Sequence, residues 1–259
     1  MNSAYTIQKP SFFKRVVALI FDIICVTFLF VAVENLVSHP IVNAAYNYDE
    51  LDHKYEEKLV EHGIGYFDEK DGNKFKLNEL PEGQTDYDWT SFRKDEDALY
   101  YEGMVSNLNL FKITLDALLS ELIVFCIVPL ILRNGQTLGK KLMHLGLIST
   151  NEVKVRSWNV FARYAIGIFA LETMISLFFF TFFIFPLPLI LSFIFAVSSK
   201  RGMALHDYIG GTIVIDMNNT VILDTVEERK KRILEEKEAF KMQQSNKMIS
   251  QEEIIAENK

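Results

Sequence analysis

Three long apolar stretches separated by polar chain dominate this sequence. Val16 to Val37 is the first, interrupted by Asp22 and Glu34. Thr114 to Leu132 is the second, and Val160 to Val197 the third, with Glu172 as its only charge after Arg163. About 20 mostly apolar residues suffice to cross a bilayer as a helix, so the first two stretches predict one span each. Pro129 is expected to kink the last turn of the second. Tyr164 to Val197 holds 34 residues, too many for one span and enough for two short ones turning near Phe185-Pro186-Leu187-Pro188. Proline is accepted in the first turn of a helix, so Pro186 is expected to open the fourth span.

Basic residues set the orientation. Lys14-Arg15, Lys140-Lys141 and Lys200-Arg201 each border an apolar stretch, and Lys and Arg concentrate in cytoplasmic loops. Keeping all three pairs on one side needs an even number of crossings between them. The expected fold is therefore an all-α membrane protein with four transmembrane helices. It would be multi-pass in the cell (plasma) membrane, with both termini cytoplasmic.

The segment between the first two spans then lies outside. Ile41, Ala44, Ala45, Tyr48, Leu51, Tyr55 and Leu59 have helical spacing. Asp95 reads as the N-cap of a helix running through Leu99, Met104 and Leu108 into the second span. Phe67 to Leu77, turning at Asp71-Gly72, reads as a hairpin, and it is expected at the tip of a helical extension of the first two spans. On the cytoplasmic side two small β-hairpins are expected. Leu145–Ser149 would pair with Val153–Arg156, and Thr212–Ile215 with Thr220–Leu223 around Asn218-Asn219. Glu227 to Met242 predicts a charged helix, with Val226, Ile233 and Phe240 seven residues apart, and the last dozen residues are expected to be loose. The segments are thus 1–37 (cytoplasmic N-terminus and first span), 38–110 (acidic extracellular insertion), 111–215 (remaining spans with a basic cytoplasmic loop) and 216–259 (charged cytoplasmic tail).

Charge placed along the chain supports this division. The net charge of −7 is that of an ordinary acidic protein, yet residues 38–110 carry 17 acidic against 7 basic residues, a net of −10. Residues 218–259 carry −1, so the remainder, which contains every apolar stretch, is +4. That asymmetry is the one lipid-facing proteins show, and 21 Phe residues suit a lipid-exposed surface. Cys25 and Cys126 both sit in apolar stretches and read as small hydrophobes, with no disulfide framework. The first stretch is long for a cleaved leader, and Asp22 interrupts it.

Charged residues inside the spans are the candidate chemistry, because an ionisable side chain in hydrocarbon is costly without a partner or a task. Arg15 and Asp22 fall on nearly one helix face, about 10 Å apart in height at 1.5 Å per residue. Asp22 needs donors, and Arg163 is the candidate, an ion pair that would lock the first and third spans together. Glu121 and Glu172 fall near mid-membrane. Two carboxylates there would share a proton or a cation, since like charges cannot both stay ionised at low dielectric. Asp116 and Glu34 are placed near the outer interface, facing water.

Other motifs carry less. His206-Asp207 lacks a nucleophile and an orienting geometry, so no enzyme site is read from it. Asp207 is expected to pin the membrane surface through Arg201 or Lys141. Gly135-Gln-Thr-Leu-Gly-Lys140 lacks the spacing of a phosphate loop, and its glycines are expected to allow a tight interfacial turn with its lysines at the headgroups. Asp68 to Asn73 lacks the glutamate of a calcium loop. No metal set, cofactor or nucleic-acid surface is read from the chain.

Arg15, Asp22, Gly135-Gln-Thr-Leu-Gly-Lys-Lys-Leu142, Arg163 and Leu205-His-Asp207 with Gly211-Thr212 together resemble the RDD family of bacterial membrane proteins. The resemblance implies a polar framework of Arg15, Asp22, Arg163 and Asp207. It covers Phe12 to Lys112 in outline and Asp116 to Ile215 more closely; the long acidic insertion departs from compact members. Some members have been proposed to exchange monovalent cations for protons, which implies an ion or proton site among Asp22, Glu121 and Glu172. Two functions stay open. One is a monovalent cation/proton antiporter or small-solute transporter, which four helices would support only as a homo-oligomer. The other is a scaffold or assembly factor that holds membrane-protein partners through its acidic exterior region.

Overall fold

The computed structural model describes residues 7–71, 74–79, 87, 89–183, 186–218 and 220–257. Helix α1 (Phe12–Val33) is built inside out relative to a helix of a soluble protein. Leu19, Ile20, Ile23, Ile24 and Phe28 are exposed, while Ala18 and Asp22, one turn apart, are buried. Large apolar side chains outward and small or polar ones inward is the arrangement hydrocarbon solvent selects. A wide π-helical turn (Glu34–Ser38) leads into α2 (His39–Tyr46). Asn47, left-handed at φ 56°, separates α2 from α3 (Tyr48–Glu61). Asparagine tolerates that conformation better than most residues, and the Asn43 side chain braces the corner by hydrogen bonds to Asp49.

Strands β1 (Gly65–Asp68) and β2 (Lys74–Leu77) pair antiparallel from Gly65↔Leu77 to Asp68↔Lys74. That is the hairpin expected over Phe67–Leu77; its turn at Gly72 and Asn73 lies outside the described residues. Asp95 caps α4 (Glu96–Leu122) as expected, its Oδ1 accepting the N–H groups of Asp97 and Ala98 at 2.9 and 3.1 Å. The anticipated kink is a π-helical stretch, Ile123–Ile127, directly before α5 (Val128–Ile131), which holds Pro129 at its start. The backbone widens next to the residue that lacks an N–H.

After α6 (Leu138–Leu142) comes β3 (Leu145–Ser149). Then α7 (Ser157–Ala162), a π-helical stretch (Arg163–Met174) and α8 (Ile175–Phe183) form one continuous rod. Helices α9 (Leu187–Ser198) and α10 (Leu205–Gly210), strand β4 (Thr212–Asp216) and α11 (Val226–Glu257) complete the chain.

Two expectations are corrected here. The cytoplasmic hairpins do not form: β3 pairs with β4, antiparallel from Leu145↔Asp216 to Ser149↔Thr212, and Lys154 contributes only an isolated bridge to Ile148. Both faces of this ribbon are covered. Leu145, Leu147 and Val214 pack with Ala18, and Ile148, Ile213 and Ile215 pack with Met203. A strand buried on both faces reads as a continuous apolar run, which hides its partner. The C-terminal helix also runs past Met242 through Glu257, into the last dozen residues, where loose chain was expected.

Among the described residues three helices are long and apolar enough to cross a membrane, namely Phe12–Tyr46, Glu96–Ile131 and Ser157–Phe179. They point to a membrane protein. The segment expected as a fourth crossing holds the 12-residue α9, about 18 Å long at 1.5 Å per residue.

The chain divides into two compact units, residues 27–120 and residues 1–26 with 121–259. The first has its own cores, Val42, Tyr48, Val105 and Leu108 in one cluster and Leu59, Ile64, Phe92 and Ala98 in another. The second is centred on the β3–β4 ribbon and holds Arg15, Asp22, Glu121, Arg163, Glu172 and Asp207.

Candidate functional site

Each acidic member of the polar framework closes a different backbone junction. Asp22 accepts the Thr137 hydroxyl at 2.6 Å and the Gly139 N–H at 2.8 Å. Thr137 is itself the N-cap of α6, accepting the Lys140 N–H. Asp22 therefore binds the start of α6, where backbone donors have no helical partner. The two glycines of the 135–140 motif do different jobs. Gly135 follows Asn134 through a left-handed turn (φ 61° and 64°), as expected. Gly139 is needed for proximity, because a Cβ there would strike the Ala18 carbonyl and touch the Asp22 carboxyl.

Arg163 does not reach Asp22, contrary to the sequence reading. Its Nε donates to Asp207 Oδ1 at 3.0 Å, with both side chains buried. Asp207 also accepts the Thr212 hydroxyl at 3.0 Å and, from the third position of α10, the Ala204 N–H at 3.1 Å. Burial acts to raise the Asp207 pKa, but Arg163, His206, the Ala204 N–H and Lys140 outweigh it and hold the carboxyl at about 2. The expected partners Arg201 and Lys141 are not used; Arg201 donates to the Thr150 carbonyl. Arg15 is a backbone clamp, donating to the carbonyls of Gly202 and Val214. Lys140 is only partly exposed rather than free at the headgroups. Burial, reinforced by Arg163, pulls its amine down to about 7 against the opposing charges of Asp22 and Asp207.

A second polar layer contains Glu121 and Glu172. Glu172, on the π-helical stretch of the third long helix, accepts the Ser192 hydroxyl from α9. Both of its oxygens also lie 2.8–2.9 Å from His206 Nδ1 at the start of α10. His206 comes this close because Gly167 offers no side chain; a Cβ there would sit 2.7 Å from the His206 Cα. Glu121, at the end of α4, accepts the Thr173 hydroxyl at 2.7 Å. Its other oxygen has no hydrogen-bond partner among the described residues, nor has the Ser176 hydroxyl.

The two carboxylates feel each other electrostatically but are held by separate partners. The direct carboxylate pair expected between them is not formed. Thr173, Ser192 and His206 are the residues the sequence reading missed. Only His206 carried a signal, as one half of the His-Asp dipeptide whose dyad reading was set aside; its Nε2 lies 3.8 Å from Asp207. In the 27–120 unit, Asp116 is fully buried rather than facing water, and Glu34 is paired with Lys112.

Residues 98–211 match the RDD family model. The matched range includes Glu121, Arg163, Glu172 and Asp207, while Arg15 and Asp22 precede it. No curated protein and no solved structure matches the chain.

Proposed function

We propose that this chain, with its RDD-family match over residues 98–211, is a multi-pass membrane protein that exchanges a monovalent cation for protons. The observation that carries the reading is Glu121. It is buried on an apolar helix with one carboxylate oxygen unpartnered among the described residues, next to a Glu172 already supplied by His206 and Ser192. An acid with unfilled acceptor capacity in low dielectric is where a proton or a cation gains most by binding. His206 Nδ1 lies within hydrogen-bond distance of both oxygens of the neighbouring carboxylate, and an imidazole can both take up and give a proton, so a proton can be relayed through the layer. Asp22 is left out of the exchange, because both its oxygens are occupied by the 137–139 turn.

In this reading α9 is the fourth crossing and both termini are cytoplasmic. The membrane is the plasma membrane, and a homo-oligomer encloses the ion path that so few helices leave little room for. No catalytic step is assigned. The test is the purified protein in sealed vesicles carrying an interior pH dye. A sodium gradient should drive proton movement that Glu121→Gln or Glu172→Gln abolishes; a flat trace from folded protein rejects the exchange.

The alternative, a scaffold, draws on the separate cores of residues 27–120 and on the 32-residue charged helix α11. It predicts membrane-protein partners that co-purify with the chain and are lost on deletion of residues 38–109.

A further inference from the structure

Asp116 is 0% exposed, and neither of its carboxylate oxygens accepts a hydrogen bond among the described residues. Its carboxyl lies against that of Glu34, from the turn after α1, with Ser38 beside both. The hydroxyl nearest along its own helix does not serve it, since Ser120 donates to the Asp116 backbone carbonyl at 2.6 Å. Glu34, by contrast, is fully supplied. Lys112 donates to one oxygen at 3.0 Å and Ser38 to the other at 3.0 Å.

The facing groups from α3 bring no donor to Asp116. The Tyr48 ring lies under the Lys112 amine, 4.1 Å from it, and gives its hydroxyl to Asn109. Asp52 faces Lys112 as well and adds only negative charge. Two acids in contact are thus served by one cation, and the shortfall at Asp116 is a single positive charge. A buried carboxylate without donors costs several kcal/mol, so that charge must be supplied by something bound.

We propose that Glu34 and Asp116 form a proton-binding site, with one proton carried on Asp116 and donated to the Glu34 carboxylate. The proton comes from water, no bond other than O–H is made or broken, and the cluster of Glu34, Asp116 and Lys112 becomes neutral. The site belongs to the 27–120 unit and stands whether or not Glu121 and Glu172 exchange ions.

Infrared difference spectroscopy on the full chain in lipid nanodiscs tests it directly. At neutral pH in choline buffer the protein should show a protonated-carboxyl C=O band, distinct from any that Glu121→Gln removes, that disappears in Asp116→Asn. Lys112→Met should roughly double the band, because Glu34 then needs a proton of its own. That gain of signal does not depend on the first variant folding. An unchanged band in both variants overturns the proposal. So does a wild-type band present in choline but absent in sodium, which would give the site to a metal cation.

Discussion

At the scale of single residues, the consequences follow from which charges have an alternative partner. Arg163 and Asp207 are both buried, and the guanidinium Nε bonds that carboxylate. Removing one partner of such a pair strands the other and costs about 3–5 kcal/mol. Asp207→Ala should therefore lower thermal stability in detergent far more than Asp224→Ala, whose carboxylate is 73% exposed beside Lys154. The penalty should depend on pH in a definite direction. Asp207 is held at about 2 against an ordinary 3.8, so its stabilisation is complete above about pH 4 and is lost as pH falls through 2. Unfolding compared at pH 7 and pH 3 should show the gap between wild type and Asp207→Ala narrowing at the lower value. Asp22→Asn should also reduce accumulation in the membrane. An amide accepts on one side only, and its NH2 would face either the Thr137 hydroxyl or the Gly139 N–H.

At the scale of elements, glycine separates helices that need proximity from helices that merely tolerate it. Nothing lies within 4 Å of a Cβ built on Gly103 in α4, whereas one on Gly139 runs into the Ala18 carbonyl. Gly103→Ala should be neutral or stabilise by about 0.5–1 kcal/mol. Gly139→Ala should push α6 off α1, break its bond to Asp22 and lower the melting temperature; equal effects of the two would reject this packing. Elements defined by neighbours in sequence were legible beforehand. The Asp95 cap, the hairpin around Asp71, the Asn134-Gly135 turn and the apolar helices each depend on residues a few positions apart. What could not be read was pairing across long separations. Leu145–Ser149 has an adjacent candidate strand at Val153, and only three-dimensional packing selects Thr212–Asp216 instead. Arg163 was assigned to Asp22, and its bond to Asp207 instead depends on α10 approaching over Gly167 and Gly210. Asp116 was misread because hydropathy places a residue along a helix without saying which side of it is covered.

At the scale of the molecule, the uneven charge predicts sidedness. In a background lacking Cys25 and Cys126, a Lys70→Cys variant on whole cells should react with an impermeant thiol reagent, and an Asn218→Cys variant should not. Labelling at Asn218 from outside would overturn cytoplasmic placement of the β3–β4 end. That ribbon also has a consequence for how the chain is made. Its two strands are 62 residues apart in sequence, with the third long helix and α9 between them. At about 5–20 residues per second of synthesis, β3 waits roughly 3–12 s for β4 to emerge. Throughout that interval it is a bare, apolar strand edge of the kind that recruits other chains. A ribosome stalled before Thr212 would therefore release a product able to insert its helices yet prone to aggregate. Ile213 and Ile215 are the residues whose late arrival ends that exposure.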